Sequence, residues 1–283
     1  MTKITPYIKL LRPNQWLKNL MLLFPPFLGG TIFQDGMIQK GIFPLVAFCL
    51  VSSCTYIFND TIDATKDAIH PKKKDRPIAA GLINNSSSFV IMFVLFVFSL
   101  LLSLNVSPTF LYLLLIYLTV AILYSIKLKE FPIIDIFCIS AGFLFRLQAG
   151  GIVFGIKISD WLFLSVFLLS LFLSTGKRLF EKISLGDNAG NHRKSLLYYP
   201  DGYLEGTMYM TGSAVLVTYT MYVIQRPALV YTVPLCTFGL MRYILRVKSG
   251  TGGDPTESLL KDMPLLVIGL LWTFMVGWSI YGG

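Results

Sequence analysis

Residues 59–81 read NDTIDATKDAIHPKKKDRPIAAG, an acidic ladder followed at once by a cationic cluster. Asn59, Asp60, Asp63 and Asp67 stand three and four residues apart, so a helix would carry their oxygens on one face. Carboxylates that close repel one another unless a cation sits between them. Hard oxygen donors suit Mg²⁺, which keeps some of its waters and is shared with substrate phosphates. Beyond the ladder, Pro71 and Pro77 stop helical continuation and hold Lys72, Lys73, Lys74 and Arg76 in a turn. Arg76 is the preferred phosphate ligand, because a guanidinium fork binds phosphate bidentately. For the three lysines a topological role serves equally well, and His70 reads as a structural or capping residue.

This polar stretch interrupts a chain that is otherwise apolar. Of 283 residues 54% are hydrophobic and only 14% charged, with a mean hydropathy of +0.67. That composition lies outside the soluble globular range and predicts an all-α integral membrane protein. Nine windows are long and apolar enough to span, at about 14–33, 41–58, 87–104, 108–124, 132–152, 159–176, 207–224, 228–245 and 264–281. Helices satisfy their own backbone groups in lipid, and these lengths suit helices rather than strands. Pro25-Pro26 and Gly29-Gly30 should bend or unwind the first span.

Nine spans put the termini on opposite faces, and the basic residues choose the orientation. Nearly all of the 24 Lys and Arg fall on loops of one face; Lys40, Lys157 and Arg226 fall on the other, and Arg146 lies within a span. The basic face is therefore expected in the cytoplasm, with the N-terminus inside. Of the fifteen acids only Asp35 and Asp160 lie on the opposite face. The net charge of +9 is split among short loops with no soluble domain, which suits anionic lipid and argues against nucleic acid. Cys49, Cys54, Cys138 and Cys236 sit within predicted spans without paired spacing and read as packing residues. The first eighteen residues mix Lys9, Arg12, Trp16 and Lys18 and do not read as a signal peptide. An interfacial helix with Trp16 at headgroup level is expected instead.

The expected organisation is one polytopic domain over 1–283, with an interfacial segment at 1–13 and long polar loops at 59–86, 125–135 and 177–206 on the basic face. Long loops in a compact fold more often bind than merely connect. The middle loop carries Tyr124, Lys127 and Lys129 shortly before Asp135. Asp135 and Arg146 are eleven residues apart, close to three turns, so they share a helix face with Gly142 between them. A cation at Arg146's depth is either functional or snorkels toward the nearer end. The third loop opens on Lys177, Arg178 and Glu181, with Lys177 and Glu181 spaced to pair, and continues to Arg193 and Lys194. These cations make sense as clamps on a polyanion.

Taken together, these residues resemble the UbiA-type superfamily of intramembrane transferases, and within it the decaprenyl-phosphate 5-phosphoribosyltransferase branch. The resemblance runs through RPNQWLKN at 12–19, NDxxDxxxD at 59–67, HPxKxxRPIAxG at 70–81 and YSxxLK at 124–129 with Asp135. It continues in FxxRxxAGG at 143–151, KRxxE at 177–181 and Asp262. Quinone-type members carry a second acidic motif in the loop after the sixth span, where this chain has Asp187 alone among cations.

The resemblance implies a nine-transmembrane-helix bundle, matching the count from hydropathy, with its active site at the cytoplasmic mouth. It implies transfer of a 5-phosphoribosyl group from phosphoribosyl diphosphate to a polyprenyl phosphate, in a cell-wall precursor setting. Asn59, Asp60, Asp63 and Asp67 would hold Mg²⁺, with Asp63 and Asp67 catalytic. Lys127, Lys129, Lys177 and Arg178 would meet the leaving diphosphate or the ribose phosphate, and Asp135 would lie near the reacting carbon. Arg76, Arg193 and Lys194 would clamp the lipid phosphate. Lys18, Tyr56, Tyr124 and Arg146 complete the expected substrate-binding set. A homo-oligomer is compatible with this reading but not required by it. The rival readings are prenyl transfer from a polyprenyl diphosphate to an aromatic or other acceptor, and transport. Transport is disfavoured because no paired broken helices are visible.

Overall fold

A computed structural model describes residues 5–71 and 73–282, and the side chains of Asp187, Asn191, His192 and Pro227 are not among those described. Lys3 and Lys72 of the basic-loop reading, and the side chain of Asp187, thus lie outside the described residues. Within those residues every regular element is helical. In chain order these are α1 (Thr5–Leu11), a 3₁₀ stretch Pro13–Leu23, α2 (Phe24–Leu28), α3 (Met37–Ile62) and α4 (Ala64–Ala68). Next come α5 (Asn85–Leu104), α6 (Pro108–Ile126), the 3₁₀ turn Leu128–Glu130, α7 (Ile134–Phe154) and α8 (Asp160–Leu185). After the 3₁₀ turn Gly186–Asn188, α9 (Ala189–His192) leads through the 3₁₀ turn Lys194–Tyr198 to α10 (Tyr203–Ile224). The 3₁₀ stretch Pro227–Thr232, α11 (Val233–Lys248), α12 (Pro255–Lys261) and α13 (Met263–Tyr281) complete the chain.

Seven of the described helices are long and apolar enough to cross a bilayer, and the chain is a multi-pass membrane protein. The helical regions at 13–28 and 203–224 coincide with the first and seventh predicted spans but are not among the seven. In the first, Pro13 opens a 3₁₀ helix, and Pro25 and Pro26 fall in the first turn of α2. Proline is tolerated there because the missing N–H has no intrahelical partner. The chain breaks after them, at Gly29 and Gly30. Helix α10 is long enough, but Thr207, Thr211, Thr218 and Thr220 dilute its apolar character.

Among the described residues, the two largest of four buried apolar clusters lie mainly in the two halves of the chain. Phe48, Phe110, Leu114 and Ala149 join α3, α6 and α7, while Phe172, Leu204, Met208 and Tyr243 join α8, α10 and α11. The bundle closes where Leu28, Tyr222, Val223 and Val276 bring α2, α10 and α13 together. Gly150 lets the Pro13–Leu23 stretch lie directly on α7, since a Cβ there would come within 2.1 Å of the Leu22 carbonyl oxygen. Phe89, Phe93 and Phe98 on α5 and Phe274 and Trp278 on α13 stay exposed, as lipid-facing residues do.

Candidate active site

The acidic ladder straddles a helix end. Asn59 and Asp60 occupy the last turn of α3, Asp63 caps it, and Asp67 lies in α4. Backbone bonds from Asp63 to Asn59 (2.9 Å) and Asp67 to Asp63 (2.8 Å) keep the helical rise across the junction. Each carboxylate already has a cation. Asp60, 2% exposed, accepts from Arg12 on both oxygens and from Arg76 at 3.0 Å. Arg76 also donates to Asp67, so one guanidinium bridges two acids. The Lys129 ammonium lies 2.7 Å from both oxygens of Asp63 and 3.3 Å from the Asn59 amide oxygen.

Asp63, Asp67 and Glu130 line one cavity at this mouth, facing Lys66, Lys73, Lys129, Arg193 and Lys194, with His70 at its wall. The lining comes from three segments far apart in sequence and carries a cationic excess suited to a polyanion. Asp60 is not part of this lining. Burial raises the Asp67 carboxyl above the usual range despite Arg76 and Lys73 beside it. Burial likewise lowers the Lys73 ammonium to about 8. Lys73 is therefore charged below that pH and neutral above it. kcat/KM should fall as pH rises through about 8, and Lys73→Arg should move that limb upward, because a guanidinium stays protonated. A pH–rate profile of both proteins checks this.

Mg²⁺ fits the donor chemistry on one condition. Among the described residues no three acidic, histidine or cysteine side chains converge to cage an ion unaided. Mg²⁺ typically takes only one or two carboxylates, with phosphates and water filling the rest. Asp63 and Asp67 on one cavity wall, with Asn59 beside Asp63 on the Lys129 ammonium, meet that requirement. Asp60, the remaining expected ligand, is enclosed between Arg12 and Arg76.

A second cluster lies behind the cavity. Asp135, fully buried, accepts from Arg178 Nε at 2.6 Å, the Tyr199 hydroxyl at 2.9 Å and Ser195 at 3.3 Å. Arg178, 1% exposed, also donates to Glu181 at 2.8 Å and the Tyr124 hydroxyl at 2.9 Å. Neither lines the mouth cavity. Asp135, expected near a reacting carbon, and Arg178, expected on a leaving group, are thus placed in a buried, mutually bonded cluster away from the cavity lining. Asp135 sits in the first turn of α7, whereas α8 runs to Leu185, so Lys177, Arg178 and Glu181 are helical rather than loop residues.

The expected Lys177–Glu181 pair is not formed. Lys177 reaches Asp254 at 2.9 Å, while Glu181 lies 3.5 Å from Arg193 in addition to its Arg178 bond. Asp254 was not anticipated. It caps α12 through the Thr256 and Glu257 amides, and although burial opposes it, Lys177 and Lys18 hold its carboxyl well below the usual range. The sequence signal was the Asp254-Pro255-Thr256-Glu257 helix start, which says nothing of a lysine 77 residues away. Arg12 was likewise missed. It has φ 53°, a left-handed conformation, and its guanidinium lies 5.3 Å from the Tyr56 ring centre.

Other expected residues fall in varied places. Tyr124 joins Arg178 and Arg193, whose Nη1 donates to it at 3.2 Å. Lys127 is mostly exposed and pairs with Glu130 at 3.0 Å; Lys194, also exposed, is 3.6 Å from Glu130. Trp16 donates to Ser53 at 3.0 Å, tying its segment to α3. Arg146 does not snorkel. At 5% exposure it turns inward to Asn19 (2.7 Å), the Gly142 carbonyl (2.6 Å), Tyr117 (3.0 Å) and Ser52 (3.1 Å). Asp262 caps α13 and accepts from Arg242 and Arg246 at 2.7–3.1 Å, a structural clamp.

A helical multi-pass bundle whose mouth gathers acids and cations around one cavity defines a membrane enzyme for phosphorylated substrates. The chain belongs to the UbiA prenyltransferase family, which it matches over residues 22–266. It is 32% identical to decaprenyl-phosphate phosphoribosyltransferase of Mycolicibacterium smegmatis, covering 98% of this chain and 93% of that one. The same figure holds for the Corynebacterium glutamicum protein of that name, over 97% of this chain and 86% of that one. Its fold matches the solved structure of a UbiA homologue from Archaeoglobus fulgidus bound to GPP and Mg²⁺. There the TM-score is 0.74 at 17% identity, with 98% of this chain and 100% of that chain covered.

Proposed function

We propose that this chain transfers the 5-phosphoribosyl group of phosphoribosyl diphosphate to a polyprenyl phosphate, releasing diphosphate. The observation that carries the reading is the mouth cavity, where Asp63 and Asp67 stand within a ring of Lys66, Lys73, Lys129, Arg193 and Lys194. The names of relatives similar over nearly the full chain support it.

Asp63 and Asp67, with Asn59, would hold Mg²⁺, which when bound neutralises charge on the departing diphosphate. Lys73, Lys129 and Arg193 would meet phosphate oxygens directly, and Lys66 and Lys194 would raise the local concentration of anion at the rim. A phosphate monoester is anionic at neutral pH, so the acceptor oxygen attacks without a general base. Positioning and charge neutralisation then carry the rate. Asp135 and Arg178 contribute by fixing the loops that bear these cations.

The nine-span bundle is the arrangement we propose, with the helices at 13–28 and 203–224 inserted beside the seven apolar ones and the basic loops in the cytoplasm of a bacterial cell. The polyprenyl tail would lie between helices and the water-soluble donor would arrive from the basic face.

Incubating the purified chain with phosphoribosyl diphosphate, Mg²⁺ and a panel of polyprenyl phosphates tests the reading. Mass spectrometry should show lipids gaining one phosphoribosyl unit, lost on chelation and restored by Mg²⁺. The solved homologue with GPP makes prenyl transfer the alternative. Incorporation of labelled prenyl diphosphate into an acceptor, with no phosphoribosyl diphosphate present, would establish it instead.

A further inference from the structure

The turn that launches α7 is strained. Ile133 has φ 66° and ψ −51°, and the Ile134 amide donates back to the Pro132 carbonyl at 2.7 Å, closing a γ-turn of the rare hand. A β-branched residue at positive φ is an outlier, and such strain persists only where neighbours hold it. The Ile133 side chain is half exposed, so its packing does not account for the conformation.

The Ile133 carbonyl is tied into the first turn of α7, accepting from Ile136 and Phe137, and the side-chain group that holds its amide is a hydroxyl. The Ile133 amide donates to Tyr199 Oη at 2.6 Å, and Tyr199 donates onward to Asp135 at 2.9 Å. Tyr199 is itself buried, its ring stacked on Tyr203 with centres 5.7 Å apart. This hydroxyl joins two loops that both bring cations to the cavity. The loop before α7 carries Lys129, on Asp63; the segment after α9 carries Lys194 and Arg193, of which Arg193 lies 3.7 Å from Asp135 and donates to the Lys129 carbonyl at 3.4 Å. Tyr199 and Asp135 do not line the cavity, whereas Lys129 and Arg193 do.

We propose that Tyr199 and Asp135 are positioning residues that set the span between Lys129 and Arg193, and through it the recognition of a diphosphate group. The inference rests on the proposed function only for the identity of the diphosphate's carrier.

The test reads binding of inorganic diphosphate with Mg²⁺ by calorimetry on the full chain in detergent, alongside turnover. Tyr199→Phe keeps the ring and removes the hydroxyl; diphosphate affinity should fall about tenfold, with KM for phosphoribosyl diphosphate rising to match and kcat within about threefold. Arg193→Gln should also weaken binding, and the double variant should be no weaker than Arg193→Gln alone. Ile133→Gly in the Tyr199→Phe background should restore affinity, because glycine holds a positive φ without steric cost. If Tyr199→Phe does not fold, the same cycle with Asp135→Asn replaces it. Wild-type affinity in Tyr199→Phe, effects that multiply with Arg193→Gln, or failure of Ile133→Gly to rescue overturns the proposal. Diphosphate binding that obeys the cycle, in a protein that does not turn over phosphoribosyl diphosphate, would instead remove the proposed function and leave this inference standing.

Discussion

Asp67→Asn is expected to lower turnover by about a hundredfold or more while leaving a folded protein. The amide keeps the shape and still accepts from Arg76, so the bridge between Asp60 and Asp67 survives in neutral form. What disappears is a negative oxygen on the cavity wall, and electrostatic groups aimed at reacting charge are typically worth about 10²–10³ in rate. The apparent Mg²⁺ requirement should rise at the same time. At limiting Mg²⁺, where no bound cation lowers it, burial holds the Asp67 carboxyl above the usual range, so wild-type activity should there fall at a higher pH on the acid side than an ordinary carboxylate would give. That limb should vanish from the residual activity of the variant. Mg²⁺ titrations and pH–rate profiles of the two proteins check both statements, and wild-type turnover at low Mg²⁺ would remove Asp67 from the metal reading.

Arg178→Met is expected to have the largest effect on stability. Arg178 is the shared partner of Asp135, Glu181 and Tyr124. Removing it leaves the fully buried Asp135 carboxylate with Tyr199, Ser195 and the more distant Arg193. Breaking a buried pair from one side typically costs about 3–5 kcal/mol, because the remaining charge is left desolvated. Adding Asp135→Asn should recover part of the loss, since an amide tolerates burial better than an unpaired carboxylate. Melting curves of the two variants in detergent give the comparison. An Arg178→Met protein that melts with the wild type would show that the cluster contributes nothing to stability.

Much of the site was visible as residue types and little of it as partners. Helical spacing placed Asp63 and Asp67 together, and both do line one cavity with Lys129, Arg193 and Lys194. The same spacing placed Asp60 with them, yet 48 residues upstream Arg12 closes over it. Lys177 and Glu181 have ideal local spacing for a pair, but such a pair on an exposed helix is worth only a few tenths of a kcal/mol. Asp254 and Arg193, brought in by other segments, outcompete it. Arg146 was readable as a functional or a snorkelling cation; Asn19, Ser52 and Tyr117, from two other helices and the N-terminal 3₁₀ stretch, hold it inward and exclude snorkelling. Tyr199 left no signal, because its role depends on the backbone of a residue 66 positions away.

Residence in a bilayer, an all-helical build and the chemistry available to the polar loops were determined by the chain alone. Lipid forbids unsatisfied backbone groups, so a run of apolar residues has one common solution, and composition and local period suffice to find it. Only the tertiary structure decided which carboxylates face the cavity and which serve as buried anchors. Periodicity orients a side chain on its own helix, whereas the partner that neutralises it arrives from another segment, and the cost of burying a charge depends on that partner being there.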